Sequence, residues 1–404
     1  MDLREIDLCD RDQYVAGVPH DAFAALRAEA PVHWHEESDG PGFWSVHRYA
    51  DVVKVNRDNL TFSSARGGAL IHELDPAALE QQRLMMLNMD PPMHTRYRKL
   101  VNRGFTPRML GALEERIRGQ ARAIVEGVAE QGGCDFVTEV AAELPLQVIA
   151  EIMGVPHEDR HKVFDWSNRM IGAEDPEYQE KEREAAFAAS MELYAYANSL
   201  AAERRANPGD DIISVLLQSE VDGERLSELE FDLFFLLLAV AGNETTRNLI
   251  SSAMLALVEH PDQRQLLLDD PSLIPGAVEE MLRWGTPVMH FRRTATTDTE
   301  VGGQPVAEGD KVVIWYMSAN RDEAVFDDPH RFDVRRTPND HVAFGGGGPH
   351  FCLGANLARM EIRLMFEELL PRLPDVELAG PVERLRSNFI NGIKHMPVAY
   401  SPSA

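Results

Sequence analysis

AFGGGGPHFCLGANLARMEI, residues 343–362, sets one of the chain's three cysteines behind four consecutive glycines and ahead of a helical stripe. Leu357, Met360 and Leu364 recur at three- and four-residue spacing, so a helix is expected to open just after Cys352. A sulfur at a helix N-terminus meets free backbone N–H groups and the positive end of the dipole, and both favour thiolate over thiol. Glycines 345–348 and Gly354 let the backbone approach the sulfur and whatever it binds. Read alone, the stretch also fits a plain turn with Cys352 as a small buried hydrophobe. A phosphate loop fails locally, because Gly-x-x-x-x-Gly-Lys-Ser/Thr is absent and no lysine lies in the stretch.

The rest of the chain narrows the choice. Its 404 residues carry a formal charge of −26, with 44% apolar and 26% charged side chains. That is a globular composition, and the charge argues against nucleic acid or an anionic membrane as partner. Cys9, Cys134 and Cys352 are too scattered for a disulfide framework and offer no C-x-x-C zinc pair. The charged start MDLREIDLCDRDQY lacks a signal peptide's apolar run, so a reducing cytoplasm is the expected location. FDLFFLLLAV (231–240) runs straight into GNETTRN, which would put Glu244 and Arg247 inside a bilayer. It is read as a core helix, with no membrane anchor.

Helical periodicity covers 107–131, 136–153, 176–206, 226–258 and 355–371. Strand patterns fall near 32–49 and 290–317. A mainly α fold with a small β portion, one domain over 1–404, is the simplest account.

A soft anionic sulfur in an apolar seat suits haem iron, where thiolate pushes electron density and favours O–O cleavage. On Phe344, His350, Cys352 and Gly354 the stretch resembles the haem-ligand loop of the cytochrome P450 family. Phe344 lies eight residues before Cys352, where seven is the family's more usual spacing, which leaves its contact with the sulfur open. The resemblance runs along almost the whole chain. It implies haem b held between a long central helix and the cysteine loop, with Cys352 as axial ligand.

It also assigns roles elsewhere. Within LLLAVAGNETTRNLISSAML (236–255), Ala241 and Gly242 would leave room for dioxygen, and Glu244 with Thr245 matches the acid–alcohol pair that organises proton delivery. Read without Cys352, the pair is more simply an N-cap or a satisfied threonine in a long helix. His94, Arg98, Arg293 and His350 match the family's contacts to the haem propionates. Glu280 and Arg283, one turn apart, match a brace joined by an arginine from a downstream P-x-R-F segment, here Pro329, Arg331 and Phe332.

Such chemistry needs two electrons from outside. Arg96, Arg98, Lys99, Arg103 and Arg108 form a basic stretch in an acidic chain, suited to docking an acidic ferredoxin supplied by an NAD(P)H-dependent reductase. Segments 67–89 and 166–178 stand where the family builds pocket walls, and their Met and Leu suggest an apolar pocket. AVAGNETTRN, the long glycine loop and the tail RLRSNFINGIKHMPV (384–398) resemble the actinobacterial branch that hydroxylates terminal methyl groups of steroid side chains and methyl-branched lipids. Rival readings are a terpenoid hydroxylase, a peroxide-driven fatty-acid hydroxylase and a non-catalytic haem sensor.

Overall fold

Ser227 starts the element around which the others pack. In the computed structural model, which describes residues 2–105, 107–171, 175–179, 182–209, 211–220, 223 and 225–403, the helix Glu228–Glu259 runs for 32 residues. A capping box opens it: Ser227 Oγ accepts from the Glu230 N–H at 3.3 Å, and Glu230 Oε2 accepts from the Ser227 N–H at 2.7 Å. It ends at His260, immediately before Pro261. At 1.5 Å per residue it is about 48 Å long, enough to cross a domain. Phe231, Leu233, Phe234 and Phe235 are buried, so the apolar run 231–240 is core, as expected. Among the described residues no helix is long and apolar enough to cross a membrane.

Helices packed against this one include Glu143–Met153, Arg160–Ile171, Glu182–Ala206, Ile274–Gly285 and Ala355–Arg372. The last, the helix that follows Cys352, packs along Pro107–Ala129. One expected helix divides: residues 136–153 hold a π turn, Val137–Ala141, before Glu143–Met153. The expected helix 176–206 is described over Pro176–Gln179 and Glu182–Ala206.

The β portion forms where expected and also beyond it. Val32–His35 pairs antiparallel with Phe43–Val46, Val32 opposite Val46, and the latter strand runs parallel to Lys311–Trp315 with Trp44 opposite Val312. His290–Ala295 and then Phe62–Ser63 complete a five-stranded sheet. Between its two later strands, Thr299–Val301 and Gln304–Val306 form a hairpin. Its turn residues Gly302 and Gly303 both have positive φ, 55° and 85°, the signature of a type I′ turn. Gly133–Asp135, Glu377–Leu378, Glu383–Arg384, Ile393–His395 and Pro397–Ala399 are further strands of two or three residues, too short to show a period in sequence.

Candidate active site

The cysteine loop is gripped by the helix Tyr49–Arg57. Asn56 Nδ2 donates to Gly347 O at 2.6 Å and Arg57 Nε to Gly346 O at 2.8 Å. Gly348 is needed twice over: its φ is +78°, and a Cβ there would sit 2.8 Å from Asn56 O. The Cys352 N–H donates to Phe344 O at 2.9 Å, which closes the loop over its extra residue. Phe344's ring packs against Phe351, with the Arg359 guanidinium 4.6 Å above its centroid. Gly354 then caps the helix Ala355–Arg372.

Cys352 lies exposed, but what it faces is an internal cavity rather than the outside. This cavity encloses about 1480 Å³ of atom-free space, its mouth included. The electrostatic expectation needs correction here. Burial raises the Cys352 thiol above its ordinary value and outweighs the Gly354 N–H, Arg98 and Arg359, all of which lower it. The helix terminus therefore tempers the cost of a thiolate without favouring one; a bound metal cation would have to displace the proton.

His94, Arg98, Arg293 and His350 all reach the same cavity. The two imidazoles lie 4.2 Å apart, centroid to centroid. Arg98 Nη1 donates to Pro349 O at 2.9 Å, and Arg293 Nη1 to Arg292 O at 2.7 Å. Among the described residues no carboxylate lies in ion-pair range of Arg98 or Arg293. Burial and then Arg98 push His94 down to about 4, and its Nδ1 is buried without a partner. Burial, Arg293 and His94 push His350 well down, while its Nε2 lies 3.0 Å from Met89 O. Two arginines without a carboxylate partner beside two imidazoles suit an anion. The donor set fits the two carboxylates of a haem, just as the sulfur fits its iron.

On the central helix, Leu238, Ala241, Gly242, Thr245 and Leu249 share the face lining this cavity. Ala241 is exposed to it. Gly242 lines the cavity and has a second reason to be small: a Cβ there would stand 2.7 Å from Ile149 Cδ1, so the absent side chain admits the neighbouring helix. Thr245 Oγ1 donates to Ala241 O at 2.8 Å, which leaves its lone pairs as acceptors. Glu244 does not join it. Its carboxylate is buried beside Arg247, off the cavity wall, and Arg247 Nη1 reaches Asn168 Oδ1 at 2.8 Å. Burial raises the Glu244 carboxyl and Arg247 opposes the rise.

The brace also differs from expectation. Arg283 Nε lies 2.7 Å from Glu280 Oε2, and both side chains are fully buried. The third member is Arg336, whose Nε reaches Glu280 Oε2 at 3.1 Å. Arg331 has a side chain 61% exposed and gives only its carbonyl, accepting from Arg283 Nη2 at 3.3 Å; Pro329 O likewise accepts from Arg283. Phe332 is buried between Trp284 and His260. Sequence reasoning missed Arg336, and also Glu361, a buried acid on the cavity wall. The signal for Glu361 was available: an acid on the stripe that Leu357 and Leu364 define.

Of the basic stretch, Arg98 is committed to the cavity and Lys99 is exposed. The side chains of Arg103 and Arg108 lie outside the described residues, as do 172–174 of the 166–178 segment.

A cysteine and an anion cradle opening on one internal cavity beneath a long helix define a haem-thiolate enzyme. The chain belongs to the cytochrome P450 family: the family's sequence model, Cytochrome P450, matches residues 43–378. It is similar to a steroid C26-monooxygenase of Mycolicibacterium smegmatis, 45% identical over 98% of this chain and 94% of that protein. A linalool 8-monooxygenase of Pseudomonas putida is 42% identical over 98% of this chain and 99% of that one. Among solved structures, Mycobacterium marinum cytochrome P450 CYP268A2 in complex with pseudoionone superposes with a TM-score of 0.92 at 44% identity, covering 98% of each chain. The protein is thus a cytochrome P450 monooxygenase with a haem-iron cofactor.

Proposed function

We propose that this monooxygenase hydroxylates a steroid side chain or methyl-branched lipid at or near a terminal methyl, in the cytoplasm, using O2 and two electrons from a ferredoxin. The observation that carries the reading is that Cys352 and Ala241 open on one mostly apolar cavity, whose wall includes Met86, Leu87, Phe234, Leu238 and Phe291. A wall with so large an apolar share selects by shape, which suits a substrate whose only handle is hydrocarbon. The likeness to a steroid C26-monooxygenase supports the same class. A terpenoid substrate is the second reading, favoured by the likeness to a linalool 8-monooxygenase.

Cys352 would hold the iron of haem b, and His94, Arg98, Arg293 and His350 its propionates. When bound, thiolate-ligated haem supplies the means of inserting one oxygen atom from O2 into an unactivated C–H bond. The chain's own residues do the rest. Ala241 leaves space beside the helix. The Thr245 hydroxyl, its proton spent on Ala241 O, accepts a hydrogen bond at the cavity face and so holds a proton donor in place. Glu244 serves as proton source on leaving Arg247, and the apolar wall keeps bulk water from the reacting carbon.

Titration of the haem-loaded protein with a panel of sterones, branched fatty acids and terpenes, read by the Soret shift each produces, tests the substrate class. Sterones or branched acids are expected to bind; a panel in which only terpenes do so contradicts it. Product made from reduced nicotinamide, oxygen and added redox partners supports the oxygen-driven route over a sensor, and turnover with peroxide alone would contradict it.

A further inference from the structure

The glycines at 345–348 do more than turn the chain toward Cys352: the helix Tyr49–Arg57 presses against them. A Cβ on Gly346 would stand 3.1 Å from Val53 Cα and one on Gly348 2.8 Å from Asn56 O, so the bare backbone admits this helix. Asn56 is buried at that contact, 2% exposed, and stands behind the cavity wall rather than on it. Its amide serves three separate segments. Nδ2 donates to Gly347 O at 2.6 Å, while Oδ1 accepts from the Tyr316 hydroxyl at 2.8 Å and from Arg293 Nη2 at 3.4 Å.

One orientation of the amide satisfies that set. Exchanging its oxygen and nitrogen would face Nδ2 with two donors and Oδ1 with a carbonyl. Burial pushes the Tyr316 phenol up to about 12, so at neutral pH it keeps its proton and donates. Arg293, 3% exposed, is the neighbour with the larger consequence, for its side chain rests on two neutral acceptors, Arg292 O at 2.7 Å and Asn56 Oδ1. Neutral acceptors hold a guanidinium without cancelling its charge, which stays available to an anion in the cavity. An aspartate at position 56 would pair with Arg293 and oppose Gly347 O, and a leucine would hold neither.

We propose that Asn56 is a positioning residue for the haem: from one helix it fixes both Arg293 and the Gly347 carbonyl of the cysteine loop, and its neutrality leaves the Arg293 charge to the propionate. The inference rests on the reading that Arg293 holds a propionate. It ties the anion cradle to the ligand loop, so the haem's potential answers to a side chain that stands off the cavity wall.

The test uses haem-loaded wild type, Asn56→Asp, Arg293→Gln and the double variant, each read by midpoint potential and by the rate of haem transfer to apomyoglobin. Asn56→Asp, nearly unchanged in shape, is expected to shift the potential negative and to speed haem transfer several-fold, since its carboxylate takes the charge that the propionate would use. In the Arg293→Gln background the same change is expected to add little, because a buried aspartate without its cation takes up a proton and stays neutral. Equal shifts in both backgrounds would mean a charge acting through space alone and overturn the proposal, as would an Asn56→Asp protein indistinguishable from wild type while Arg293→Gln is altered. An Arg293→Gln protein with wild-type potential and haem transfer sinks the propionate reading itself, and the proposal with it. Should Asn56→Asp load haem too poorly to measure, Asn56→Leu decides. It adds no charge but frees Gly347 and Arg293, and is expected to speed haem transfer several-fold and to move part of the carbon monoxide band to the unshifted position; a wild-type rate and band would overturn the proposal.

Discussion

Residues one apart on a helix point about 100° apart, and that angle decides what Glu244 and Thr245 can do together. Thr245 faces the cavity, so Glu244 turns toward Arg247 and the helix that carries Asn168. The sequence displays the pair but not its divergence, because a motif carries no information on which face of its helix is buried against what. Gly242 makes the same point. Besides lining the cavity it stands close to Ile149, a residue 93 positions away that no local pattern reveals. Gly242→Ala is therefore expected to cost about 1–3 kcal/mol by overpacking, read by urea unfolding, with Ile149→Ala in the same chain restoring part of it. A neutral Gly242→Ala would mean that the space serves the cavity and not the contact. His94, Arg98, Arg293, His350 and Cys352 stand out in sequence through the motif around each, and the structure brings all five to one cavity.

Elements are tied to one another by charges that the sequence shows singly. The helix Ile274–Gly285 carries both Glu279 and Glu280, and each holds a different partner segment. Through Glu280 it grips Arg336, so Arg336→Ala is expected to lower haem retention and cost roughly 3–5 kcal/mol, as breaking a buried pair does. Arg331→Ala, at an exposed side chain, is expected to be nearly silent. The reverse ranking would restore the arginine that the P-x-R-F motif suggests. Glu279 binds the helix behind the cysteine through Arg359 at 2.7 Å and also meets His341 at 3.1 Å. Burial raises its carboxyl, but the hydrogen bonds of His341 and Arg359 prevail and hold it at about 2, below the ordinary 4.5. A depressed folded-state value contributes stability above the unfolded one and loses it as pH falls toward the folded one. Acid titration followed by circular dichroism should therefore show wild type weakening between about pH 4.5 and 2, and Arg359→Gln should shrink that change.

Across the whole molecule, long helices were the most legible feature and the short strands the least. Glu228–Glu259 and Ala355–Arg372 repeat their pattern over many turns, whereas Gly133–Asp135 exists only because Pro397–Ala399 pairs with it from the far end of the chain. Charge is legible at this scale too. With a net −26, the run of Lys99, Arg103 and Arg108 reverses the local charge, and we propose it as the docking surface for an acidic electron donor. Reversing those three to glutamate is expected to slow reduction by ferredoxin at low salt, with the difference shrinking as ionic strength screens it. Equal rates at all salt concentrations would remove the docking role.

The account as a whole stands on the sulfur of Cys352 as the ligand to haem iron, and the spectrum of the reduced protein under carbon monoxide tests that most directly. Wild type, Cys9→Ser and Cys134→Ser should each give the red-shifted Soret band of thiolate ligation, and Cys352→Ser should lose it. A fresh wild-type sample without that band, or a Cys352→Ser protein that keeps it, would contradict the account.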